Sequence, residues 1–237
     1  MENNRTLDMA AHSMDPWDIM TRLYDQSRRI VGAVVGDVPP ALLGDDGQPH
    51  DIALPEPAMP SDVPSLHDAL CSRSAIRFWE PTAVPIGHIA TILDSAREDE
   101  LSLNLVAWNV EGLAPAVYRY VPATHALRRI GVAPESMAAR EELVLQVEFA
   151  AAPFVVLVTG NLAAACAKHG GFGHRQLLMR AGAAGHRMWL ASLQVGLVGT
   201  VFAGFIGNSA RDLAQVDGYR KSSLLAFAAG YRKSEWQ

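Results

Sequence analysis

Two arginines, Arg73 and Arg77, stand four residues apart in CSRSAIRFWEPTAVP, residues 71–85. Residues four apart share a face on a helix, and on a strand four positions are two full periods. In either conformation both guanidiniums are expected to point the same way. Each offers a planar fork of donors, so two on one side suit a dianionic phosphate. Arginines at a helix end also serve as surface ion pairs or lie in water. The second group with chemistry in it is Lys168-His169, in KHGGFGHRQ. A lysine accepts a proton only where burial or a nearby cation lowers its ordinary value of about 10.4. A histidine, at about 6.5 unperturbed, is already suited to that task. The plainer alternative is that Lys168 caps a helix or lies exposed on a glycine-rich loop.

Several common signatures are missing. His169 and His174 lack any His-Glu-x-x-His pattern, so no metal site is expected. No Gly-x-Ser-x-Gly elbow occurs. GGFGHR lacks the third glycine of a dinucleotide fingerprint and the Lys-Ser/Thr of a phosphate loop, and reads as a flexible turn. Cys71 and Cys166 form no Cys-x-x-Cys pair, so neither a disulfide framework nor a zinc site is indicated.

The elements that must position these residues form an α+β pattern. PWDIMTRLYDQSRRIVGAVV (16–35) has helical spacing of apolar residues. Residues 36–64 hold half of the prolines and predict an extended arm over the surface. The arm and first helix make one segment, 1–64, and the core domain is expected over 65–237. SLHDALCSR carries a serine cap before a short helix, and PIGHIATILDSA a second helix. LSLNLVAWNV alternates as a strand; AVYRYV, APFVVLVTG and SSLLAFAAGYRK are further strands, the middle one fully buried. HRQLLMRAGAAGHRMWLASLQVG predicts a long helix apolar on most sides, its Gly and Ala positions open to close approach by another helix. Such a helix belongs at a domain centre or a subunit interface. Trp189 within it reads as core. Arg232 and Lys233, ending the last strand, read either as added charge near the phosphate or as ordinary solvated terminal residues.

The chain has 237 residues, 49% hydrophobic and 19% charged, with a net charge of −5. This describes a globular chain and argues against a nucleic-acid binder, which would show a basic face. The polar start MENNRTLDMA and the absence of a long uncharged apolar run predict no secretory signal and no membrane span, with the cytoplasm as the expected compartment.

Arg73, Ser74, Ala75, Ile76, Arg77, Phe78 and Trp79, with Val84-Pro85 following, fall on a frame that resembles the opening of the flavin-dependent nitroreductase superfamily, Arg-Arg-Ser-x-Arg-x-Phe and then proline. Gly112, Leu113, Pro115, Tyr118, Tyr120, His125 and Leu127 resemble the Gly-Leu-x-Pro-Gly-x-Tyr-x-Tyr…His-x-Leu stretch of its SagB-type (McbC-like) azoline dehydrogenases. Lys168, Gly170, Arg175 and Gly182 keep the spacing of that branch's Lys-Tyr-Gly segment, and Gly196, Leu197, Gly199, Gly204 and Phe205 that of its later glycine turns.

The resemblance implies a nitroreductase-like α+β fold: a mixed sheet flanked by helices, with the buried helix at the interface of a homodimer whose cleft holds FMN. It implies that Arg73 and Arg77, with Ser74, Ala75 and Arg232, hold the phosphate tail, and that Ala203, Gly204 and Phe205 line the ring. Lys168 and His169 become the acid–base pair. The implied reaction is FMN-dependent oxidation of an azoline, or a similar ring or backbone C–H, in a small-molecule or peptide substrate, with a biosynthetic complex as the setting. The rivals are an NAD(P)H-dependent nitro or quinone reductase and a non-catalytic partner subunit of the same fold. The departures from the pattern are Ala75 for serine, His169 for tyrosine, Arg180 for glutamate, His186-Arg187 for Gln-Asn, and the short REDE run at 97–100 in place of a turn that often helps hold the flavin.

Overall fold

The computed structural model describes residues 16–26, 51–57, 61–98 and 100–233. Its centre is a seven-stranded sheet built from β1 (Ile52–Ala53), β3 (Leu101–Ala107), β5 (Ala116–Val121), β6 (Ala126–Gly131), β7 (Phe154–Asn161), β8 (Val198–Phe202) and β9 (Lys221–Gly230). The spatial order is β1-β6-β5-β3-β7-β9-β8, and every pairing in it is antiparallel. Among the described residues, parallel pairing is confined to β2 (Val84–Pro85) with β4 (Val110–Glu111).

The run FVVLVTGN is buried at all of its positions, as a strand covered on both faces requires. Alternate side chains feed two cores. Phe154, Val156 and Val158 join Leu105, Phe227, Ala181 and Met188 on one side. Val155 and Leu157 join Val106, Trp79, Phe149 and Phe202 on the other. In this second core the Phe149 and Phe202 rings stack with centroids 3.7 Å apart.

The first core is closed by α3 (Ile86–Ser95) and α6 (Phe172–Gln194). The α6 face carrying Leu177, Ala181, Ala184, Met188 and Ala191 is buried, whereas Leu178, Met179, Gly182 and Ala183 are exposed in the single chain. The sequence puts Phe172 in a turn, but helix begins there. The glycine-rich turn is reduced to Gly170 and Gly171, between α6 and α5 (Leu162–His169). A Cβ on Gly173 would stand 2.1 Å from the Ala165 carbonyl oxygen, so only glycine lets the two helices meet this closely. Of the helix expected over 16–35, Pro16–Gln26 is α1; the rest lies outside the described residues. The short α2 (Leu66–Ser72) starts as its serine predicts, with Ser65 Oγ accepting from Asp68 N at 3.1 Å.

Within the proline-rich segment, the described residues 51–57 join the sheet. Ile52 and Ala53 pair with Leu127 and Ala126 and add an edge strand to the sheet. Arg128 grips Asp51 through Nε and Nη2, at 3.0 and 3.2 Å. His125 Nε2 lies 2.9 Å from the Pro55 carbonyl, which only accepts, so Nε2 carries a hydrogen; Nδ1 meets the Tyr120 hydroxyl at 2.8 Å. Tyr118 Oη donates to the Ala114 carbonyl at 2.7 Å. The Tyr-x-Tyr…His stretch therefore holds chain to chain. On the middle strand, Asn104 is fully buried. Its Nδ2 donates to Thr159 Oγ1 at 3.2 Å and its Oδ1 accepts from Arg119 Nε at 3.3 Å.

Candidate functional site

After α2 the chain leaves helical geometry at Arg73 (φ −60°, ψ 123°) and runs irregularly to Trp79, which pairs with Arg232 in an isolated antiparallel bridge. Trp79 is buried, and its Nε1 donates to the Val198 carbonyl at 2.9 Å. With Glu80 N donating to the Tyr231 carbonyl at 2.9 Å, this fixes the stretch before Trp79 against the end of β9. A cleft of about 360 Å³ opens there, lined by Ala75, Ile76, Arg77, Phe78, Glu148, Arg232 and Lys233. Three cations and one carboxylate thus share a small space with the apolar side chains of Ala75, Ile76 and Phe78. The Arg77 and Arg232 guanidiniums are exposed and make no ion pair among the described residues.

Arg73 takes another course. Its guanidinium lies 4.3 Å from the centroid of Trp189 on α6, and the Trp189 Nε1 is buried without a partner among the described residues. The structure therefore gathers Ala75, Arg77 and Arg232 at the cleft, whereas Arg73 stacks on an aromatic face and Ser74 is exposed outside the lining. The turn Ala203–Gly204–Phe205 is held by a bridge between Phe205 and Val144 and by Leu145 N donating to the Gly204 carbonyl at 2.7 Å. It is joined to the cleft through the segment that carries Glu148, and does not itself line it.

Lys168 and His169 end α5. Lys168 Nζ donates to Glu100 Oε1 at 3.1 Å, and Arg180 of α6 holds Glu100 Oε2. Arg187 donates from Nε to the Ser95 carbonyl at 2.7 Å and from Nη2 to Glu98 Oε1 at 2.8 Å. The departures from the family pattern are thus spatially coupled: both unexpected arginines of α6 hold acids of the short 97–100 run. His169 Nε2 is buried and has no partner among the described residues.

Glu100, Glu148 and Trp189 are the residues that sequence reasoning missed. Glu100 left one signal, an acid at the foot of a strand with an arginine in an otherwise apolar helix to answer it. Glu148 left none. Among the described residues no group of three or more His, Cys, Asp or Glu side chains is placed to hold a metal, and no helix is long and apolar enough to cross a membrane.

An antiparallel sheet with one face closed by a long helix, and a cationic cleft at the end of its last strand, define an α+β protein. Residues 70–231 match the Nitroreductase family, and the chain belongs to it. No curated protein matches the chain. Solved structures share the fold. One from Anabaena variabilis superposes with a TM-score of 0.64 at 20% identity over 71% of this chain, which spans only 38% of that one. The microcin synthetase McbBCD complex of Escherichia coli, with truncated pro-MccB17 bound, superposes with a TM-score of 0.60 at 17% identity, covering 94% of this chain and 96% of that one. A Desulfovibrio desulfuricans structure in complex with FMN gives a TM-score of 0.50 at 17% identity, over 73% of this chain and 90% of that one.

Proposed function

We propose that this chain is an FMN-dependent oxidoreductase that removes two hydrogens across a ring or backbone bond, with azoline-to-azole oxidation in a peptide or small molecule as its reaction. The carrying observation is the cleft in which Arg77 and Arg232 stand without ion-pair partners among the described residues beside the apolar Ile76 and Phe78. Two unengaged guanidinium forks fit a phosphate, and a volume of about 360 Å³ suits one end of an extended cofactor. Membership of the Nitroreductase family and the FMN-bound neighbour support that choice of ligand.

FMN, when bound, supplies a two-electron acceptor for the hydride. The chain must hold the phosphate and take the proton. Arg77 and Arg232, with Lys233 beside them, do the first. For the second, His169 Nε2 is a ring nitrogen without a partner among the described residues. Lys168 donates to Glu100 as an ammonium with no lone pair, so it serves as an acid as it stands and could take a proton only after giving one up. The cleft and the α5 terminus are separate within one chain, and the exposed face of α6 is where a second copy would bring the two groups together.

Anaerobic mixing of the FMN-loaded protein with an azoline-containing peptide tests the reaction. Bleaching of the flavin with formation of the azole is expected; a chain that purifies colourless and takes up no FMN would overturn it. A second reading, a non-catalytic partner of the same fold, is favoured by the ion pairs that fasten the 97–100 run to α6.

A further inference from the structure

We propose that Glu100 is the positioning residue for Lys168, an assignment that rests on the acid–base reading of Lys168 above. Glu100 takes φ of 63°, in the left-handed region that L side chains occupy only when their surroundings impose it. Its carbonyl accepts from Asn161 N at 2.7 Å, and Asn161 caps α5, its Oδ1 accepting from Ala164 N at 3.0 Å. Its side chain, 10% exposed, reaches Lys168 at the opposite end of the same helix. One residue thus spans α5 from cap to last turn.

The two cations on this carboxylate differ in kind. Arg180 comes from the middle of α6 and its side chain is 26% exposed; a guanidinium stays charged under all working conditions. Lys168 is 45% exposed at a helix terminus and carries its amine on a flexible stem. Arg180 is therefore the permanent anchor that keeps the carboxylate in place, and Lys168 the exchangeable partner. The pair holds the amine at one point and releases it when another acceptor arrives.

The chain has three lysines, Lys168, Lys221 and Lys233, so amine acylation followed by peptide mass spectrometry reads each separately. With Glu100→Gln, Lys168 should acylate about 1.5- to fivefold faster at neutral pH, with Lys221 and Lys233 unchanged as internal controls. Should that variant fail to fold, Glu100→Asp keeps a carboxylate for Arg180 but withdraws it from Lys168, and the same rise is expected. The pH profile of flavin reduction by an azoline-containing peptide should shift in whichever variant folds. An unchanged acylation rate for Lys168 overturns the proposal. Faster acylation with an unshifted pH profile keeps the hold on the amine but removes the acid–base reading of Lys168, so the two failures are distinguishable.

Discussion

Trp79 and Arg232 pair across an antiparallel bridge, and that pairing sets Arg77, near the start of the family-matched region, and Arg232, just past its end, at one cleft. The cation that sequence spacing offered as the partner of Arg77 was Arg73. The partner supplied by the fold is Arg232, brought in by the last strand.

Replacing Arg77 or Arg232 with alanine should each weaken FMN binding about tenfold to a hundredfold, since a hydrogen bond to a charged group contributes about 1.5–3 kcal/mol. Riboflavin lacks the phosphate and should bind the variants and the parent alike. Parallel fluorescence titrations of the two ligands measure this, and an equal loss for both would move the phosphate elsewhere.

Gly173→Ala should destabilise the chain by about 1–3 kcal/mol, toward the upper end, because the contact at 2.1 Å is with backbone that has little room to yield. Urea denaturation reads the loss. Since α5 carries Lys168 away from Glu100 as the helices separate, acylation of Lys168 should quicken in the same variant.

Burial holds the His88 ring below its ordinary 6.5, with the Glu111 carboxylate acting in the opposite direction. The neutral ring is thus favoured in the folded chain, while the unfolded chain takes up a proton at the ordinary value. This contribution is complete above 6.5 and is lost as pH falls through 6.5 toward the lower folded value. Urea midpoints on either side of 6.5 should differ more for the parent than for His88→Gln.

The arm should detach from its edge when its clamp is cut. Asp51→Asn removes the charge from a pair whose acid side chain is 8% exposed, a loss of about 1–3 kcal/mol. Hydrogen exchange at Leu54 N, which donates to the His125 carbonyl at 3.0 Å, should accelerate while the amides of β7 stay protected.

What the sequence carries plainly is local. The β-branched run of β7 and the small-residue stripe of α6 each state a period that no neighbour needs to supply. Ser65 announces a helix start through a bond three residues away. What the sequence does not carry is long-range. Two residues of strand in a proline-rich arm have no pattern of their own; Ile52 and Ala53 become β1 because Arg128 and His125 hold what flanks them. Glu100 looked like part of a truncated turn because its partners lie on two later helices. The stacking of Arg73 over Trp189 is likewise a contact that nothing in its own segment foretold.

The amide of Asn104 carries a consequence for assembly of the sheet. It sits opposite Arg119 on one neighbour and Leu157 on the other. Sliding either strand by one place would take from this buried amide one of its partners, Arg119 on β5 or Thr159 on β7, so misaligned intermediates are penalised at the middle of the molecule, where repair from solvent is least available. One buried amide bonded to both sides thereby proofreads the alignment of three strands.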